Sequence, residues 1–191
     1  MARRELDAQP FVPADRLRRR LNSNVRQHRM PFTLQQIPRS ELRDLASSIV
    51  PSALIGRFAT EALPPSFVAA RGVEQIDEGK SEFWCSTFYV VRDKDNKVVG
   101  SCGFKHPPHD GIVEIGYGIS PDSRNEGAAT AAVRQLLTIA FTAGATAVLA
   151  EVRPENMAST SVVRKLNFQN TGRRVDKDGE EVIRWLAKSD A

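Results

Sequence analysis

The chain is 191 residues long, 41% hydrophobic and 26% charged, with a formal net charge of +4. That length can bury one sizeable core and is short for two full domains. No apolar run approaches the roughly 18 residues that span a bilayer or resembles the core of a secretory signal, so a soluble protein that stays in the cytoplasm, with no membrane partner, is expected.

The charge is unevenly placed. Residues 1–30 hold eight arginines against Glu5, Asp7 and Asp15, a segment charge of +5, and the remainder is close to neutral. Pro10, Pro13 and Pro31 punctuate this arm, and a short basic helix is expected over 14–25. Such an arm could contact nucleic acid or an acidic partner through its field and bidentate phosphate bonds, or stay solvated. The division is therefore a basic arm, 1–30, and a single folded domain, 31–191.

In the domain, residues 32–37 alternate as a strand does, and Ser40 opens a helix over 41–49 with Leu42, Leu45 and Ile49 on one face. A less regular helical stretch is expected over 53–62, and Pro64 and Pro65 separate it from another helix at 67–78. Residues 83–92 are aromatic and β-branched, 93–97 read as a hairpin turn, and 98–105 continue as the partner strand. After a turn at 106–111 comes a third strand, 112–119. Residues 127–143 then carry an apolar stripe at helical spacing, with small residues in the first turns. A short apolar strand at 146–152 follows, paired in parallel through that helix. Another helix at 157–166 and a closing hairpin around 176–179, with Val175 and residues 182–186 in its arms, complete the chain. The fold class is a mixed α/β sheet, antiparallel in its N-terminal strands, in which the chain changes direction at 119–127, where ligands bind in such sheets.

The loop Ser120-Pro-Asp-Ser-Arg-Asn-Glu-Gly-Ala-Ala-Thr130 joins that third strand to the long helix. A helix start presents unpaired N–H groups and a positive dipole end, and a residue without a side chain lets phosphate oxygens approach. Gly127 and Ala129 sit where that closeness matters. His106 and His109 have no third ligand for a metal, so none is expected; lining a cleft is their other reading. Cys85 and Cys102 have neither metal-ligand spacing nor a disulfide framework and read as buried free thiols. Trp84 and Phe88 read as core or cleft wall.

Arg124-x-x-Gly127-x-Ala129, preceded by Glu-Ile-Gly-Tyr-Gly-Ile at 114–119, resembles the Arg/Gln-x-x-Gly-x-Gly/Ala signature of the GNAT acetyltransferase superfamily. Downstream, Glu151-Val-Arg-Pro-Glu-Asn156, with Ala158-Ser159 and Lys165-Leu-Asn-Phe168, is similar to that family's second conserved block. The likeness runs over about 83–187, and it looks most like the branch of ribosomal-protein N-terminal acetyltransferases.

The resemblance implies an acyl-CoA N-acyltransferase fold with a splayed parallel strand pair, and acetyl-CoA as co-substrate. It assigns the pyrophosphate to the N–H groups of Arg124, Asn125, Glu126, Gly127, Ala128, Ala129 and Thr130, with Arg124 also a flanking cation. Ile119 would offer main-chain bonds to the pantetheine arm, beside a bulge that Gly116 or Gly118 could form. Asn156 would contact the cofactor, although capping the next helix alone would explain it. For the base that deprotonates the acceptor amine, Glu114 is favoured slightly over Glu151; for each the alternative is a structural pair with Arg153 or a lysine. Ser159 is a candidate to hydrogen-bond the leaving thiolate, or is merely structural.

The sequence also departs from the family pattern. Asn125 and Asn167 stand where glycines are common, Glu126 where relatives carry a cation, and Val163 where many carry a tyrosine acid. The implied partners are acetyl-CoA and a primary amine of a small molecule or peptide N-terminus, with the protein a monomer or homodimer. The alternative is a catalytically weak GNAT-fold module that binds coenzyme A or contacts RNA or the ribosome.

Overall fold

The computed structural model describes residues 31–189; the arm at 1–30, including its expected helix, lies outside the described residues. Strand β1 (Phe32–Gln36) pairs antiparallel with β2 (Thr87–Arg92), which pairs antiparallel with β3 (Lys97–Phe104), and β3 with β4 (Ile112–Ile119). β4 and β5 (Ala147–Val152) run parallel. β7 (Glu181–Lys188) lies antiparallel on β5, and β6 (Gln169–Val175) forms the far edge beyond it. The sheet order is β1-β2-β3-β4-β5-β7-β6.

Alternation along β2 explains why both faces are covered. Phe88 and Val90 belong to the larger core, while Tyr89 and Val91 point into a smaller one on the other face. Two helices cover the smaller core, α1 (Arg39–Ala46) and α2 (Ser66–Asp77), through Leu42, Leu45 and Ala69. The larger core lies under α3 (Ala128–Thr142) and α4 (Met157–Lys165), where Ala132, Val133, Leu136, Ala140 and Val163 are fully buried. Each such leucine or valine contributes about 1.5–3 kcal/mol by leaving water. Small residues in the first turns of α3 let its backbone lie close to β4.

Four local expectations change. The first helix ends at Ala46, before left-handed Ser48 (φ 60°), so Ile49 is exposed rather than on its apolar face. Residues 53–62 form no α-helix beyond a 3-10 turn at Ser52–Leu54, because Gly56 (φ 75°) and Glu61 (φ 57°) are left-handed, which a right-handed helix excludes. The segment is tied to β3 instead: Ala59 N–H donates to the Val98 carbonyl at 2.8 Å, and Val98 N–H to that of Arg57 at 2.8 Å. The second strand starts at Thr87 rather than 83, since Phe83–Cys85 is a 3-10 turn whose rings pack edge-on, Phe83 on Trp84 at 4.8 Å and Trp84 on Phe104 at 5.3 Å. β6 is a full edge strand with every residue exposed, so it carries no apolar alternation.

The parallel pair is short. β4 and β5 are in register from Ile112↔Ala147 to Ile115↔Ala150, and then part. β4 continues to Ile119 against β3 alone, with Gly100 opposite Ile119. No bulge at Gly116 or Gly118 opens the gap, since the β3–β4 register is unbroken; the register shifts lie at Val90/Val91, between β2 and β3, and at Asn170/Gly172, between β6 and β7.

Candidate active site

Beneath the gap lies a groove of about 500 Å³. Its floor is the later half of β4. Ser120 N–H donates to the Val99 carbonyl and Lys105 N–H to the Glu114 carbonyl, so even-numbered residues of β4 spend their main-chain groups on β3. The odd-numbered Tyr117 and Ile119 therefore turn their N–H and C=O groups toward the gap, where β5 has left. Both line the groove.

One wall is the loop into α3. Asn125 (φ 64°) and Gly127 (φ 86°) are both left-handed, and Gly127 caps the helix. Asparagine tolerates this conformation, which explains how it replaces a glycine at 125. The N–H groups of residues 125–130 have no acceptor among the described residues, and Arg124, Asn125 and Gly127 through Thr130 line the groove. A Cβ at Gly127 would meet nothing within 4 Å, so the space beside it is open. Such a row of converging donors at a helix start suits an anion. Glu126 does not line this space: its carboxylate pairs with Arg92 at 3.0 Å, on β2.

The opposite wall is α4. Asn156 accepts a hydrogen bond from Ser159 N–H at 3.0 Å, capping the helix, and also lines the groove. The Ser159 hydroxyl has no partner among the described residues, while its carbonyl accepts a bond from the Tyr117 hydroxyl at 3.3 Å. Burial pushes the Tyr117 phenol up, so it stays protonated at neutral pH. Val163 is fully buried in the core and has no part in the groove.

Both candidate carboxylates lie across the sheet. Val113 and Ile115 point into the core under α3, so Glu114 between them emerges on the face of α1 and α2. Glu151 shares that face, two residues beyond Leu149, which is opposite Glu114. Oε1 of Glu114 pairs with the ammonium of Lys105, and its Oε2 lies 3.7 Å from Nε2 of His106. Glu151, with a side chain only 7% exposed, spends both oxygens on Arg174 at 2.6 and 2.7 Å, with Arg184 at 3.7 Å. Its partners are thus Arg174 and Arg184, and not Arg153.

The groove also brings together residues the sequence reading missed. Ala158, Ser161, Val162 and Lys165 present one face of α4 to it. Their spacing of three, four and seven is a helical face visible in sequence, but only the sheet tells that it borders a cavity.

Residues 32–169 match the family described as acetyltransferase (GNAT) domain, and the chain belongs to that family. A Bacillus licheniformis protein described as an uncharacterized N-acetyltransferase, p20, is 29% identical over 102 residues. That match covers 52% of this chain and 57% of the relative, so it spans little more than half the relative's length. Similar solved structures include the ribosomal-protein-S5-alanine acetyltransferase of Vibrio fischeri, with a TM-score of 0.60, 16% identity and coverage of 84% of this chain and 94% of that one. The RimJ protein of Mycobacterium smegmatis, in complex with CoA-disulfide, has a TM-score of 0.57 at 17% identity, covering 83% and 82%. A dodecameric spermidine N-acetyltransferase from Vibrio cholerae has a TM-score of 0.58 at 16% identity, covering 83% and 94%. At these identities the structures establish a common fold.

Proposed function

We propose that the protein is an acetyl-CoA-dependent N-acetyltransferase that acts in the cytoplasm on a primary amine of a small molecule or a peptide N-terminus. The observation that carries this reading is the parting of β4 and β5 beside the free N–H groups of residues 125–130, which leaves a groove with an anion-binding corner and an unpaired strand edge. The fit to coenzyme A is chemical: donors and the cations Arg124 and Lys165 for a pyrophosphate, and the main chain of Tyr117 and Ile119 for an amide-bearing arm. When bound, acetyl-CoA supplies an activated acyl group as a thioester.

The chain's own residues then have distinct tasks. Glu114 takes the proton from the acceptor ammonium, which has no lone pair until it is deprotonated. Glu114 suits this better than Glu151, because its Oε2 makes no hydrogen bond among the described residues, with His106 3.7 Å away, whereas Arg174 engages both oxygens of Glu151. The Ser159 hydroxyl, free of other partners, donates to the departing sulfur, and Asn156 holds the start of α4 in place for it. Residues 31–191 act as one catalytic domain, and the basic arm is dispensable for chemistry; the working unit is a monomer or homodimer.

Calorimetric titration with acetyl-CoA, followed by a free-thiol assay against amines and peptides, tests the reading. Binding and amine-dependent thiol release support it. Binding without release from any acceptor supports instead a coenzyme A-binding module that contacts RNA or the ribosome through its arm, and absence of binding removes the transferase reading.

A further inference from the structure

Glu114 and Glu151 meet strong cations on the face of the sheet opposite α3. Lys105 neutralises Glu114, and Arg174 with Arg184 neutralises Glu151. A further cation is Arg71 on α2. It lies one helical turn from Gln75, whose amide donates to the Lys105 carbonyl at 3.0 Å and whose oxygen accepts the Cys85 thiol at 3.3 Å. That face of α2 is therefore turned toward the strand end holding Lys105 and toward Glu114, whose field Arg71 feels. Phe67, a further turn back, is 68% exposed and adds an apolar wall.

Arg71 is half-buried, yet its guanidinium has no hydrogen-bond or ion-pair partner among the described residues. None of its nitrogens is sealed from solvent, so the guanidinium is open to a ligand, and its planar fork of donors matches a carboxylate. Glu114 and Glu151 cannot serve as full partners, because Lys105 already pairs with the one and Arg174 with the other.

We propose that Arg71 anchors a carboxylate of the acceptor, so that the amine acetylated beside Glu114 belongs to a carboxylate-bearing molecule, an amino acid or a peptide with an acidic N-terminal region. This rests on the acetyltransferase reading. The acceptor carboxylate sits in the Arg71 fork, and its amine faces the Glu114 carboxylate and the gap between β4 and β5.

The test measures kcat/KM on the full chain with four pairs of probes and one cation. Glutamate and aspartate are compared with their α-amides, and peptides with Asp or Glu at the second position with their Asn or Gln counterparts; spermidine is the cationic probe. The carboxylate form is favoured by about 10- to 100-fold, the worth of a charged bidentate bond. The two sets separate an α-carboxylate from an acidic side chain as the group held. Arg71→Gln brings carboxylate acceptors down to the level of their amides, mainly through KM, and Arg71→Lys keeps part of the preference. Unchanged acetyl-CoA affinity in Arg71→Gln reports an intact fold. Equal rates within each pair, a preference for spermidine, or an equal loss on every acceptor overturns the proposal while leaving the transferase reading in place. No acetyl-CoA binding by the parent protein overturns both.

Discussion

Arg92 and Glu126 are joined by an ion pair of 3.0 Å that ties the β2–β3 hairpin to the loop entering α3. Arg92 holds Asp95 as well, at 2.7 Å, and these hydrogen bonds, Asp95 first and then Glu126, raise its pKa further. A carboxylate that would repel phosphate oxygens is thereby drawn toward the hairpin.

Breaking that tether should weaken coenzyme A binding. In Arg92→Ala the freed Glu126 carboxylate raises the Kd for acetyl-CoA by about 3- to 5-fold, the scale of a screened surface charge. Arg92→Ala combined with Glu126→Gln should bring the Kd back to the parent value. Calorimetry on both variants checks this, and a double variant as weak as the single one contradicts it.

Glu114→Gln should lower kcat by about 100- to 1,000-fold and flatten the rise of rate with pH, as loss of a general base does. Glu151→Gln should instead leave Arg174 and Arg184 without their shared partner, so its main loss is in unfolding free energy rather than in kcat. Steady-state rates together with urea denaturation separate the two.

Val163→Tyr should not install a proton donor. The position is fully buried against the core, so the larger ring overpacks it at a cost of about 1–3 kcal/mol. Denaturant unfolding reads the loss, and kcat should not rise.

Stability should fall as pH rises above about 10, the ordinary tyrosine value. The Tyr89 phenol is pushed well up by burial, then by its hydrogen bond to Glu41 at 2.9 Å, so the unfolded chain loses this proton at lower pH than the folded one. The folded state thus binds more protons there, which makes stability decrease with pH; below about 10 the contribution is fully present. Tyr89→Phe should reduce the slope of unfolding free energy between pH 9 and 11 on the order of one proton's worth, measured by urea titration.

How much of this was legible beforehand depended on whether a signal is local. The strand of residues 112–119 and the helix after it declare themselves by periodicity, and the Arg124 to Ala129 motif marks the corner between them. The partners of charges are not local. Glu151 meets Arg174, 23 residues away across β7, and Glu126 meets Arg92, 34 residues away, so neither pairing could be read from neighbours in the chain. The 53–62 segment misled because its composition suits a helix, while left-handed residues at 56 and 61 and bonds to Val98 decide its course. Tyr117 and Lys165 were visible as residues but not as groove lining, since that depends on where two strands separate.

Gly100, on a strand that does not touch the groove, governs how wide it is. A methyl group there would lie 2.3 Å from the Gly118 carbonyl oxygen and 2.6 Å from the Ile119 side chain. With only hydrogen at that position, β3 draws the far half of β4 tightly to itself and away from β5. A side chain at 100 would shove residues 118 and 119 toward the vacant edge and narrow the opening from behind, so the aperture is held open by something missing one strand away.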